Sequence, residues 1–287
     1  MTEGAAAREA ARVEAATETP GPADAAHPLA AFGGLLLRDL RVLTKERGRF
    51  LVRTVSQPLL LVFVFTYVLP SIGRDLGGVG GQGSFTDVLV PGVLAIAILI
   101  KGVQSVALPL VQEFGYTREI EDRVMAPLPV WAVALEKIAS GALQGLLAAA
   151  IVVPIVALVP AEPIALDITW PALVAVLLLA PVLSSALGLV MGTFVEPDNV
   201  PLMFSVIILP VTFLGATYFP WAELSVIPWL QVALLVNPLV YIAEGFRYAL
   251  TADLPHMPPV AIFGALLVAT AAATWLGVHG FRRRVLG

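Results

Sequence analysis

The stretch DVLVPGVLAIAILIKGVQSVALPLV, residues 87–111, decides the fold because it is apolar apart from its first residue and a polar group at residues 101–105. A helix needs about 20 mostly apolar residues to cross the hydrocarbon core of a bilayer. Five more runs of this kind lie at residues 51–70, 131–159, 170–194, 200–219 and 258–279. Together the runs predict six membrane-spanning helices.

The bulk composition agrees with a membrane-embedded chain and narrows its chemistry. Of the 287 residues, 58% are hydrophobic and 13% are charged, and the mean hydropathy is +0.89. The absence of cysteine excludes disulfide and thiol chemistry, and the three histidines are too scattered to form a spaced metal pair. We therefore predict an all-α integral membrane protein with no catalytic residues, no metal site and no cofactor of its own.

The distribution of lysine and arginine predicts the orientation in the membrane, because loops rich in these residues stay on the cytoplasmic side. Positive charges flank the first and last runs and lie between runs two and three, at Arg38, Arg41, Lys45, Arg47, Arg49, Arg53, Arg118, Arg123, Arg282, Arg283 and Arg284. The predicted outer segments hold only Arg74 and Arg247. We therefore predict a multi-pass protein of the plasma membrane with both termini in the cytoplasm.

Two different elements precede the first run. Residues 1–28 are rich in alanine, glutamate and proline and contain no apolar stretch, which predicts a disordered cytoplasmic tail. Residues 29–49 then place Leu36, Leu40 and Leu43 at near-helical spacing among basic side chains. This pattern predicts an amphipathic helix that lies along the cytoplasmic membrane surface and leads into the first span.

Residues 220–254 are apolar, but prolines divide them into pieces shorter than the roughly 20 residues of a span. One division falls at Asn237-Pro238. A seventh span would also move the final arginines to the outer side. We therefore predict a re-entrant helical hairpin on the outer side, between spans five and six, in which Glu244 and Arg247 pair across one helical turn.

The connection between runs two and three has the highest density of charge outside the N-terminal helix. Residues 113–123 hold six charged side chains, and Ile120, Val124 and Met125 add apolar groups at about helical spacing before Pro127 ends the helix. A short charged amphipathic helix in this position is a docking element for a soluble partner. A solvated helix that merely joins two spans is the alternative interpretation.

The order of these elements resembles the membrane subunits of type-2 ABC exporters. The sequence EFGYTREIEDRVMAP at residues 113–127 looks like their coupling helix. The sequences YFPW at 218–221 and LVNPLVYIAEGFR at 235–247 resemble their outer re-entrant segment. The likeness extends over about residues 30–284, and the combined order of elements is more specific than either motif alone.

This resemblance implies one permease domain over residues 29–287, with a coupling helix at 113–130 and the outer re-entrant segment at 220–254. It further implies a second permease copy, in a homodimer or a related heterodimer, and two ABC ATPase subunits that bind ATP and Mg²⁺; no nucleic acid is expected. The site residues that it implies are Glu113, Gly115, Arg118, Glu119, Ile120, Glu121, Asp122, Arg123, Val124 and Pro127 for coupling, and Asn237, Pro238, Glu244 and Arg247 in the outer segment.

A charged side chain inside run two is the strongest candidate for a translocation path. Charge within a membrane is unfavourable, so each instance needs a partner or a purpose. Lys101, Gln104 and Ser105 share one face of a helix. We predict that this face lines the translocation path or the seam between two permease copies; snorkelling or structural pairing of Lys101 is the alternative.

The apolar spans favour a lipophilic or amphipathic substrate, such as a drug, an antibiotic or a lipid, which the implied ATPase partner would drive outward. A polysaccharide or glycolipid exporter is one alternative, because related permeases carry such cargo. An ion-coupled carrier is an alternative of another class, although the acidic residues lie at span ends rather than near the midplane. ATP binding is expected on the partner, since the glycine-rich residues 77–83 lack the lysine of a phosphate-binding loop.

Overall fold

The computed structural model of the chain describes residues 28–45, 47–71, 85–117, 129–158, 166–196 and 199–286. Regular structure in these residues is helical, with one isolated bridge between Asp167 and Thr251. The helices are α1 (Pro28–Lys45), α2 (Arg47–Phe63, continued by the π-helical turn Val64–Val68 and by Leu69–Ser71), α3 (Phe85–Gln112, continued by the π-helical turn Glu113–Thr117), α4 (Val130–Leu158), α5 (Trp170–Phe194), α6 (Val200–Met203 and Leu209–Phe213, joined by the π-helical turn Phe204–Ile208), α7 (Pro228–Ala233), α8 (Pro238–Leu250) and α9 (Pro259–Leu286). Two 3₁₀ turns, Trp221–Val226 and Leu234–Val236, flank α7.

Five of these helices are long and apolar enough to cross a membrane, which confirms the all-α class and agrees in length and composition with five of the six predicted spans. Their apolar parts are Phe50–Val68, Phe85–Gly115, Val130–Val156, Trp170–Phe194 and Pro259–Leu286. The bent pair α7–α8 would raise the number among the described residues to six if it were one broken span.

The fifth predicted run forms a shorter helix than the sequence suggests. We predicted a span over residues 200–219, but α6 ends at Phe213, after about 21 Å at 1.5 Å per residue. The chain then turns through Ala216, which has a positive φ of 53°. Residues 214–219 are mostly apolar, as the preceding helix is. The hydropathy of the sequence therefore could not show that the helix ends at Phe213.

The predicted amphipathic helix, residues 29–49, is helical at each described position, in α1 and in the first turn of α2. Helix α2 begins at Arg47. Helix α1 packs against α4, and its residues Ala31 and Leu35 contact the edge of the hydrophobic core. The predicted tail, up to residue 27, lies outside the described residues.

The bundle is built around α3, which packs against α4, α5 and α8. In the most apolar part of α3, 67% of the residues are buried, against 22% in α2 and in α9. Helices α3 and α5 approach closely at Gly188, where a Cβ atom would lie 2.7 Å from the carbonyl oxygen of Val103. Such small residues allow close helix packing in membranes. Helices α2 and α9 therefore present much of their apolar surface to lipid or to a partner.

Candidate functional site

The outer segment bends at Asn237, where the sequence predicted a break. The helical pieces Pro228–Val236 and Pro238–Leu250 meet at 99°, so they form a right-angled corner rather than an antiparallel hairpin. The Asn237 side chain accepts a hydrogen bond from the Leu239 N–H at 2.9 Å and donates one to the Val211 carbonyl at 2.8 Å. Asparagine before a proline is a favoured start for a helix. Asn237 thus caps α8 and also holds it against α6.

Glu244 and Arg247 form the pair that their spacing predicted, and both side chains are fully buried. One carboxylate oxygen of Glu244 accepts from Arg247 and from the backbone N–H of Trp221 at 2.9 Å. The other oxygen accepts from the backbone N–H of Met257 at 2.7 Å. Arg247 also donates to the carbonyl of Ala216 at 3.0 Å. The pair therefore ties three separate chain segments to α8.

The turn after α6 lies directly against α3. A Cβ atom at Gly92 would be 2.0 Å from the carbonyl oxygen of Thr217, so only glycine permits this approach. Thr217 is fully buried there. Helix α8 also packs on α3, α5 and α9. Helix α8 and the turn after α6 are consequently packed into the bundle, and the turn lies beside the start of α3.

The coupling segment, residues 113–130, begins as a direct continuation of α3 rather than as a separate helix. Glu113 is buried, and its Oε1 atom accepts a hydrogen bond from Lys137 Nζ at 2.7 Å. Gly115 is exposed. Glu113 therefore anchors the segment to α4 within the chain, a role that the sequence analysis did not assign to it. A contact of Glu113 with an ATPase stays a prediction.

Most of the predicted coupling residues lie outside the described part of the chain, which resumes at Pro129. The residues concerned are Arg118, Glu119, Ile120, Glu121, Asp122, Arg123, Val124 and Pro127. Their roles in docking stay predictions from the sequence.

A second anchor for the coupling segment comes from the end of α9. Arg284 donates to the carbonyl oxygen of Thr193 at 2.5 Å, at the C-terminus of α5. Its guanidinium group also lies 4.5 Å from the centre of the Phe114 ring, which in turn contacts Phe281 at 5.9 Å. Carbonyl groups at a helix end carry partial negative charge, which favours a cation there. The sequence predicted only a topological role for Arg284, because this contact joins residues that are far apart in the chain.

The structure separates the three residues that were predicted to share a polar face in run two. Lys101 and Gln104 line a small, partly open pocket between α2 and α3. Ser105 instead donates to the Gly102 carbonyl at 2.9 Å and lies beside α4, where a Cβ atom at Gly141 would be 3.0 Å from its Oγ. Ser105 therefore belongs to a helix contact and not to the pocket.

Lys101 lies close to the level at which the first span begins. Its Nζ atom is 3.9 Å from the centre of the Phe50 ring, and Phe50 is the first residue of that span. At the opposite end of the two helices, the rings of Phe65 and Phe85 lie 5.8 Å apart. Helices α2 and α3 are thus antiparallel, and Lys101 lies beside the start of the apolar part of α2 although its own apolar run continues beyond it. In the described residues, no three acidic or histidine side chains are grouped to hold a metal ion.

Comparison with known proteins agrees with this architecture. A family model for the ABC-2 type transporter matches residues 30–251, which contain most of α1, all of α2 to α8 and the coupling segment. The inner membrane transport permease YadH of Escherichia coli K12 is 28% identical over 232 residues, covering 78% of this chain and 86% of the relative. The protein of the same name from Shigella flexneri matches equally. The chain belongs to the ABC-2 type transporter family, as a membrane-embedded permease subunit of an ABC transporter.

Proposed function

We propose that this chain is the permease subunit of an ATP-driven exporter that moves a lipophilic or amphipathic substrate, such as a drug, an antibiotic or a lipid, out of the cytoplasm or the inner leaflet. Family membership supports a membrane permease that works with an ABC ATPase partner. The observation that carries the coupling mechanism is the buried contact of Glu113 with Lys137. It fastens the start of the coupling segment to the next span, so a push on the segment reaches α3 and α4 together.

Transport in this proposal is a movement of the bundle driven from the coupling segment. Two ATPase subunits, which bind ATP and Mg²⁺, close on each other and displace the coupling segments of two permease copies. Glu113 passes the displacement to α4, and the contact of Phe114 with Arg284 passes it to α5 and α9. Gly92 lies against Thr217, which links α3 to the outer segment. The substrate then leaves along the seam between the copies, past that segment.

The proposed orientation places both termini in the cytoplasm and α7–α8 at the outer surface without crossing. The natural chain has no cysteine, so single cysteines can be introduced without background. In intact cells, a membrane-impermeant thiol reagent is expected to label Gly78→Cys and Asp253→Cys but not Lys45→Cys or Arg283→Cys. Permeabilised cells provide the control, because all four variants should then react. The reverse pattern in intact cells would refute this topology.

The exporter function is tested by reconstituting the chain with its ABC ATPase subunit. Proteoliposomes that contain both subunits are expected to move a lipophilic fluorescent dye only when ATP is supplied on the ATPase side. A Walker lysine variant of the ATPase serves as the matched control. Movement driven by an ion gradient without ATP would instead support the ion-coupled carrier, and ATP-dependent release of a polysaccharide or glycolipid but not of dye would support that alternative exporter.

A further inference from the structure

The pocket between α2 and α3 has a cationic end. Its polar lining consists of Arg53, Thr54 and Gln57 from α2 and of Lys101 and Gln104 from α3. Among the described residues, no carboxylate lines the pocket or pairs with either cation. Two positive charges that face one pocket repel each other, and an anion bound between them would relieve this repulsion.

The other end of the same pocket is apolar. Pro58 and Leu61 of α2 face Val93, Ile96 and Ala97 of α3 there. Because α2 and α3 are antiparallel, Arg53 and Thr54 of α2 lie at the same end of the pocket as Lys101 of α3, near Phe50, and Leu61 and Val93 lie toward its other end. This succession from charge to hydrocarbon matches that of a lipid in one leaflet, with its head group at the surface and its chain toward the midplane.

A buried hydroxyl at the cationic end is an independent sign of a ligand. Thr54 is only 6% exposed, and its Oγ1 atom has no hydrogen-bond partner in the described part of the chain. Other buried hydroxyls in the bundle, on Thr66, Ser184 and Ser185, each donate to the carbonyl four residues earlier. Buried polar groups are nearly always hydrogen-bonded. The Thr54 hydroxyl is therefore buried beside the pocket without a protein partner among the described residues.

We propose that this pocket binds an anionic amphiphile from the inner leaflet, and that the exporter's substrates belong to this class. The anionic head group lies between Arg53 and Lys101 and accepts a hydrogen bond from Thr54, while the acyl chain follows the apolar residues of the deeper end. The Phe50 ring holds the Lys101 ammonium group in place by a cation–π contact. The inference deepens the proposed function and rests on it and on the cytoplasmic N-terminus.

Binding is tested on the full-length chain in nanodiscs of phosphatidylcholine that contain a small fraction of phosphatidylglycerol with a photoreactive acyl chain. Arg53→Gln with Lys101→Gln is expected to lower cross-linking at least about tenfold, because two charge-assisted contacts are lost. Lys101→Arg should retain it. Lys45→Gln, which removes a cation from α1 outside the pocket, should leave it unchanged. If Lys45→Gln lost as much cross-linking as the double variant, the lipid would be attracted by the positive surface in general. That result would refute a specific site in the pocket.

The Thr54→Val variant tests the role of the hydroxyl in binding while preserving the fold, because it exchanges a buried hydroxyl for a methyl group of similar shape. We expect cross-linking to fall about threefold, as for one hydrogen bond, with an unchanged thermal midpoint. Unchanged cross-linking in this variant would exclude the hydroxyl from the site. Photoreactive phosphatidylcholine with the same chain should label the pocket weakly, and equal labelling would refute the selectivity for anions.

Two further experiments test whether the ligand is a lipid or a free anion, and whether it is a substrate of the exporter. Glycerol 3-phosphate should compete poorly with the labelled lipid; full competition would identify a site for a free anion and contradict the amphiphile. With the ATPase present, phosphatidylglycerol should stimulate ATP hydrolysis in wild type and not in Arg53→Gln with Lys101→Gln. Binding without stimulation would refute the substrate class while the dye-transport assay still tests the exporter itself.

Discussion

Replacing Glu244 by alanine is expected to destabilise the folded chain by roughly 3–5 kcal/mol, because it leaves the buried guanidinium group of Arg247 without its counter-charge. The substitution also removes the acceptor for the backbone N–H groups of Trp221 and Met257. Thermal unfolding of the purified chain in detergent, followed by size-exclusion chromatography, measures the effect. The variant should unfold at a clearly lower temperature than wild type, or fail to accumulate.

Two variants make this expectation specific. Asp253→Ala removes an exposed carboxylate from the same outer segment and should change stability by no more than about 0.5 kcal/mol. Glu244→Ala combined with Arg247→Met removes both charges, and it should be milder than Glu244→Ala alone because no unpaired charge stays buried. If Glu244→Ala unfolded at the wild-type temperature, the pair would not hold the outer segment to the bundle.

The spans were predictable because the length of an apolar run is nearly sufficient to identify one. Helix α5, Trp170–Phe194, coincides with its predicted run at 170–194. The fifth run differs because residues 214–219 are held in a turn by tertiary contacts. Arg247 donates to the Ala216 carbonyl, and Thr217 donates to the Thr212 carbonyl at 3.2 Å. Buried residues are apolar in a turn as well as in a helix, so composition could not distinguish the two.

In the candidate sites, too, contacts between residues close in the sequence were predictable, and contacts between separate helices were not. Glu244 and Arg247 are three residues apart on one helix, and their pairing followed from that spacing. The partner of Glu113 is Lys137 on the next helix, and the partner of Lys101 is the ring of Phe50 on the preceding one. Both contacts depend on how the helices are set beside each other. A single sequence contains the residues for such contacts but not the register that joins them.

Ile120→Asp combined with Val124→Asp is expected to separate the permease from its ATPase. We propose that these side chains enter an apolar groove of the ATPase, where burial contributes about 1.5–3 kcal/mol for each. Losing both would weaken association by about two to four powers of ten. Co-purification of a tagged permease with the ATPase measures binding, and ATP-dependent dye movement in proteoliposomes measures its consequence.

The matched control for this pair is a charge reversal in the same segment. Glu121→Lys should weaken association less than about tenfold, because an exposed charge pair contributes only about 0–1 kcal/mol and the reversal adds little more. The double variant should still insert and keep the wild-type thermal midpoint, since Glu113 and Arg284 anchor the start of the segment within the chain through Lys137 and Phe114. Wild-type co-purification together with full transport would make the segment a simple linker. Retained binding with lost transport would instead place these side chains in the transmission of movement, after docking.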